Sequence, residues 1–163
     1  MTTHPYWGSV DQDWAGFSSH ISFSHPFFTE QNITIFLGEE FDDDGEEIEE
    51  PPTENQLDAF ANTYQDFLAN IETNLSSIQN KAFDYYQKHY AHYFENPEKS
   101  GEAALGIDTV EKHNEYIKEL MYLRVLENHT IKISIRYQVD TEHGIEFKLV
   151  GGQIEKVGGI AET

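Results

Sequence analysis

The 163-residue chain contains no cysteine, which removes a disulfide framework, a thiol nucleophile and a thiolate metal site together. No apolar run approaches the ~20 residues that a membrane-spanning helix needs. The opening Met1-Thr2-Thr3-His4-Pro5 carries neither the basic nor the apolar region of a secretory signal. A cytoplasmic protein is therefore expected. Glycine-rich phosphate loops are missing too: Gly151-Gly152 and Gly158-Gly159 are isolated pairs with no helix after them, so the dinucleotide and P-loop signatures fail. No serine stands in a nucleophile-elbow context. The largest absence is of positive charge, since residues 1–80 hold no Lys or Arg.

That absence shapes the whole charge distribution. The chain has 30 acids and ten bases, a formal charge of −20. The first 80 residues hold 16 of the acids and none of the bases, hence −16, and the remainder carries −4. Such a surface repels phosphate backbones, which are bound by Lys and Arg displacing counterions, and it repels anionic membrane surfaces. Neither a nucleic acid nor a membrane is expected as a partner. A dense negative field instead attracts basic proteins and speeds their encounter at low salt.

What is present suffices for a core. Apolar residues make up 38% and aromatics 13%, too many for a disordered chain, and the length suits a single domain over 1–163. The first 30 residues read as aromatic-rich and irregular, with one short strand at Ile21-Ser22-Phe23. A second strand is predicted over Asn32–Leu37, where β-branched residues cluster. Glu39 to Glu50 places nine acids in twelve positions. Asp43-Asp44-Gly45 suits a tight hairpin turn there, with Phe41 and Ile48 as its anchors to a sheet. After Pro51-Pro52, Thr53 and Gln56 spell a capping box. A stripe with steps of four and three then runs Leu57, Ala61, Tyr64, Leu68, Ile71, Leu75, Ile78, Ala82, Tyr85. It predicts one long helix, or two kinked near Asn74-Ser76-Ser77, and Phe60, Phe67, Phe83 and Tyr86 widen its apolar face toward packing on a sheet.

A second, shorter helix is predicted from Asp108, carrying Val110, Ile117, Leu120 and Met121 inward and fading by Leu123. The C-terminal part reads as strands: Ile131, Ile133, Ile135 and Tyr137 alternate with polar residues, as does Ile145 to Leu149, and a turn at Gly151-Gly152 leads to a last strand over 153–158. The expected architecture is α+β, an antiparallel sheet from both ends of the chain with helices on one face.

Several constellations suggest chemistry. Placing Gly45 at position six of an EF-hand loop puts Pro51 at position twelve, where a bidentate carboxylate is required, so that site is rejected. His89 and His92 lie one helical turn apart, but they sit among Tyr85, Tyr86, Tyr90, Tyr93 and Phe94 and read as packing residues. No metal, cofactor or catalytic residue is assigned, and no enzyme is expected. Asp140, Glu142, His143 and Gly144 form the most distinctive motif, between two strands. Gly144 suits a turn with positive φ, Asp140 can accept turn amides, and His143 can bond to Asp140. The same trio of side chains could also serve as an acid–base or ligand-binding site with aromatic walls from the N-terminus. A third possibility is self-association through the 57–85 stripe, so either a monomer or a homodimer is compatible with the sequence.

The chain resembles a bacterial family of unknown function whose hallmark is a C-terminal strand–turn–strand reading Asp-x-Glu-His-Gly-apolar, here Asp140, Glu142, His143, Gly144 and Ile145. The acidic strand leading through Pro51 and Thr53 into a long helix that ends in Tyr85-Tyr86 is the second shared element. The likeness runs from about residue 20 to 158, and the residue before the motif Asp, often aromatic in the family, is Val139. The resemblance implies a small cytoplasmic α+β protein without known catalytic residues, akin to the immunity proteins of polymorphic-toxin loci. The leading expectation is an acidic binding protein that neutralises a basic toxin domain. Phe41, Asp42, Asp43, Asp44, Glu46, Glu47, Ile48 and Glu49 would form its recognition surface.

Overall fold

A computed structural model describes residues 2–163, in which eight strands form one sheet in the order of the sequence. They are β1 (Thr2–His4), β2 (Gly8–Asp13), β3 (Gly16–Phe23), β4 (Ile33–Leu37), β5 (Leu120–Leu126), β6 (Thr130–Ile135), β7 (Ile145–Val150) and β8 (Gln153–Gly158). Every neighbouring pair is antiparallel except β4–β5, which is parallel. Parallel neighbours need a long crossover, and here it holds all the helices: α1 (Glu54–Ala69), α2 (Ile71–His89), α3 (Ala91–Phe94), α4 (Pro97–Ser100) and α5 (Val110–Asn114). The α+β class is as the sequence predicts.

The N-terminal region departs from expectation, being a three-stranded meander instead of an irregular segment. Two glycines make its turns possible. Gly8 sits at φ +73°, and a Cβ there would lie 2.9 Å from the His20 Cβ. Gly16 sits at φ +114°. Trp7, fully buried in the first turn, donates its indole N–H to the Leu57 carbonyl at 2.9 Å and so ties the meander to α1. The strands are short and mostly polar outward, which hides their period of two.

Most of the stripe on α1 and α2 is buried, while Leu68 is exposed and Ile71 and Tyr85 are half-buried. Leu57, Phe60, Tyr64, Phe67, Leu75, Ile78 and Ala82 pack on Ile35, Val125, Ile133, Ile135 and Phe147 of the sheet, each large side chain contributing ~1.5–3 kcal/mol by leaving water. Thr53 caps α1 in the expected capping box with Gln56. The break falls at Asn70, four residues before the predicted kink. The Asn70 side chain donates to the Asp66 carbonyl at 3.0 Å, and buried Asn74 donates to the Phe67 carbonyl at 3.1 Å. Asparagine amides here satisfy carbonyls left free where the helix ends.

The helix predicted over 108–123 is the main correction. Thr109, not Asp108, caps α5 through its bond from the Lys112 amide, and the helix ends after Asn114. Leu120 to Leu126 is instead a central strand, paired on both sides. A strand buried at the sheet's centre reads as a near-continuous apolar run, which periodicity alone cannot separate from a helix. Met121, expected inward, is exposed beside a register shift in β5.

The face of the sheet away from the helices is largely polar. Register places Arg124, Lys132, Lys148 and Lys156 directly opposite one another on β5, β6, β7 and β8. Ser134 and Glu146, one pair along, are buried and joined at 2.8 Å. Thr163 closes over them, its hydroxyl bonded to Glu146 and its carbonyl accepting from Lys132 Nζ at 2.9 Å. Arg124 is also buried, donating to the Gly38 and Ala15 carbonyls and lying over the Phe36 ring.

Candidate functional site

The acidic segment forms a small hairpin of its own beyond β4. Phe41 pairs with Glu47 in a single antiparallel bridge, and Ile48 donates its amide to the Glu40 carbonyl at 3.0 Å. The turn is organised by one carboxylate: Asp42 Oδ1 accepts the amides of Asp44 and Glu46, each at 2.9 Å. Gly45, at φ +80°, supplies the left-handed step in open space, where a Cβ would meet nothing within 4 Å. The hairpin is tied to the end of β2, where the exposed Gln12 side chain donates to Glu47 at 3.2 Å.

Asp42, Asp43, Asp44, Glu46, Glu47 and Glu49 are all exposed, and among the described residues none of the nine acids of 39–50 joins an ion pair. Phe41 does not anchor the hairpin to the sheet as expected. It is 52% exposed, because a single bridge is too little pairing to draw it into the core. Ile48 is half-buried. An open cleft of about 630 Å³ lies between the hairpin and the sheet, lined by Glu39, Phe41, Asp42 and Asp43 from the hairpin segment and by Glu127, Thr130, Lys132, Lys148 and Thr163 from the sheet and its ends.

The motif turn is organised in the opposite way. Asp140 accepts the His143 backbone amide at 3.2 Å, meets its ring Nδ1 at 2.9 Å, and accepts the Tyr90 hydroxyl at 2.8 Å. Partial burial pushes the Asp140 carboxyl upward, but the bonds from Tyr90 and His143 outweigh it and hold it below the usual range. The same Asp140 contact raises the His143 imidazole above its ordinary value. Gly144, at φ +67°, has no room for a side chain: a Cβ would lie 2.5 Å from Ile160 Cδ1 and 3.1 Å from the Ile135 carbonyl oxygen. Glu142 is exposed, and His143 finds its side-chain partner only within the turn. The aromatic ring that reaches this turn is Tyr90 of the α2 C-terminal end, not an N-terminal aromatic.

Behind the turn lies a buried polar–aromatic network that the sequence pattern does not announce. Fully buried His113 bonds through Nε2 to the Tyr137 hydroxyl at 2.6 Å, while its Nδ1 has no partner among the described residues. Burial drives this imidazole down to about 4. Tyr86 donates to Glu95, which also accepts the amides of Gly106 and Ile107. The available signals are the i, i+4 spacing of Tyr86 and Tyr90 and the single His in α5. They say that rings share a face, not which hydroxyl meets which acceptor. His89, considered as a ligand with His92, packs on Tyr85 at 4.5 Å between ring centres. No group of three or more His, Asp or Glu side chains among the described residues converges in a metal-holding arrangement. No helix among them is long and apolar enough to cross a membrane.

A family model described as Domain of unknown function (DUF6985) matches residues 6–162. No curated protein and no solved structure matches the chain.

Proposed function

We propose, from the premise that the chain belongs to the DUF6985 family of unknown function, that it is an acidic binding protein. In this reading it inhibits a basic bacterial toxin domain in the manner of an immunity protein. The observation that carries this is the state of the hairpin 39–50, where Asp42, Asp43, Asp44, Glu46, Glu47 and Glu49 are exposed and none forms an ion pair with a cation among the described residues. Had Lys or Arg from the second half covered these carboxylates, the negative field would be spent internally. Asp42, Asp43, Asp44, Glu46, Glu47 and Glu49 would lie over the cationic, phosphate-binding surface of the toxin. Charges of this kind steer the encounter, while desolvated apolar groups supply much of the affinity. Phe41, exposed at the hairpin, is the natural anchor.

The test uses a hepta-arginine peptide as a stand-in for the basic surface, and then a basic toxin domain encoded beside the gene. Association should slow steeply from low to high salt. Neutralising the six acids to Asn or Gln should cut the on-rate by about tenfold or more, the range in which steering acts. A salt-independent on-rate, or full inhibition of the toxin by the neutralised variant, refutes the proposal.

A further inference from the structure

The chain has only ten Lys and Arg residues, yet four of them, Arg124, Lys132, Lys148 and Lys156, stand in one cross-strand row. Like charges directly opposite on neighbouring strands destabilise a sheet. Such a row in a strongly acidic protein calls for an anionic counterpart. Part of it is internal. Arg124 is buried and committed to two backbone carbonyls. Lys132 holds the Thr163 carbonyl, and Lys148 lies 3.3 Å from exposed Glu155. Each ammonium has three donors, so Lys132 and Lys148 keep donors free, and both line the cleft whose opposite wall is Phe41, Asp42 and Asp43.

Resting on the reading above, we propose that the cleft receives a carboxylate side chain of the basic partner, seated between Lys132 and Lys148. The partner that fits is then bipolar, with cationic residues against the hairpin and an Asp or Glu among them against the sheet. A purely cationic partner would leave the free donors of Lys132 and Lys148 without a counterpart in the cleft. The separation of Asp42 and Asp43 from Lys132 and Lys148 across the cleft also favours one orientation of docking, since a reversed partner puts like charges together.

Two peptides separate the possibilities: hepta-arginine, and the same peptide with its central residue replaced by glutamate. They are titrated against the wild-type chain and against Lys132→Met/Lys148→Met, which keeps the apolar stems and removes the charges; Lys132→Gln/Lys148→Gln guards against a folding defect. Removing the lysines should weaken binding of the glutamate-containing peptide about tenfold, the worth of a charge-assisted hydrogen bond, and should strengthen binding of hepta-arginine. This crossing of signs supports the carboxylate seat. If both peptides bind the substituted chain more tightly, the row contacts no ligand carboxylate and this inference is overturned, while the acidic docking surface stands. If neither peptide binds the wild-type chain, both fall.

Discussion

The hairpin at 39–50 and the turn at 140–144 are built from the same materials, carboxylates around a glycine in the left-handed region, and they use them oppositely. Asp140 is tied to Tyr90 and His143 and backed by a buried network of Tyr137, His113, Tyr86 and Glu95. The hairpin carboxylates, Asp42 apart, meet few groups of their own chain and join no ion pair among the described residues. A motif that looks chemically active in sequence, Asp-x-Glu-His-Gly, is thus wired into the fold. The stretch that looks like a plain acidic loop has its side chains free. Free groups can act on a partner; committed groups hold the architecture that presents them.

Substitutions at the two glycines test this contrast most strongly. Gly144→Val forces a β-branched side chain into positive φ and against Ile160 and the Ile135 carbonyl. It should cost about 4 kcal/mol. Gly45→Val meets nothing within 4 Å and should cost only the backbone strain, about 1–2 kcal/mol. Urea midpoints of the two variants measure the difference, and equal losses would erase the contrast. The next effect is pH-dependent. In the unfolded chain His113 takes up a proton near 6.5, but in the folded protein only near 4. Between those values acid favours the unfolded state, so stability should fall by about 3 kcal/mol as pH drops from 6.5 to 4. His113→Gln should lose that part of the slope, whatever its stability at neutral pH.

How far the sequence could be read follows the same division. The capping box at Thr53, the helical stripe, the β6–β7–β8 strands and the glycine at 144 each depend on residues close in the chain, and each was legible. The strand over 120–126 was not, because burial on both sides erased its alternation and left a run that suits a helix equally well. The N-terminal meander was hidden because its pairing is decided by two positive-φ glycines and by Trp7 reaching Leu57, fifty residues away. The outwardness of the acids was expected from composition. The cross-strand row of Arg124, Lys132, Lys148 and Lys156, of which Lys132 and Lys148 line the cleft beside the hairpin, was invisible until strand register brought it into line.

Smaller effects probe the motif turn itself. Tyr90→Phe removes one of the bonds that hold Asp140 and should cost about 1 kcal/mol. The His143 imidazole should titrate above its ordinary value in NMR, and Asp140→Asn should bring it back. Because His143 binds its proton more tightly when folded, its contribution is fully present below about pH 6.5 and fades as pH rises through the raised value. An imidazole that titrates identically in wild type and Asp140→Asn would detach His143 from the turn.

The smallest effect on stability belongs to the hairpin, and its smallness is what the contrast requires. Asp43→Asn, Asp44→Asn, Glu46→Gln and Glu49→Gln together remove four charges that make no ion pair among the described residues, while Asp42, which holds two turn amides, is left in place. Surface changes away from specific contacts usually stay within ~0.5 kcal/mol, and here the sign should be positive, because neighbouring carboxylates repel. The gain should be largest at low ionic strength and vanish once salt shortens the screening length toward ~3 Å at 1 M. Thermal unfolding across a salt series measures it. A marked loss of stability would mean that these carboxylates support the fold after all, and a hairpin engaged in that way would have little charge left to offer a partner.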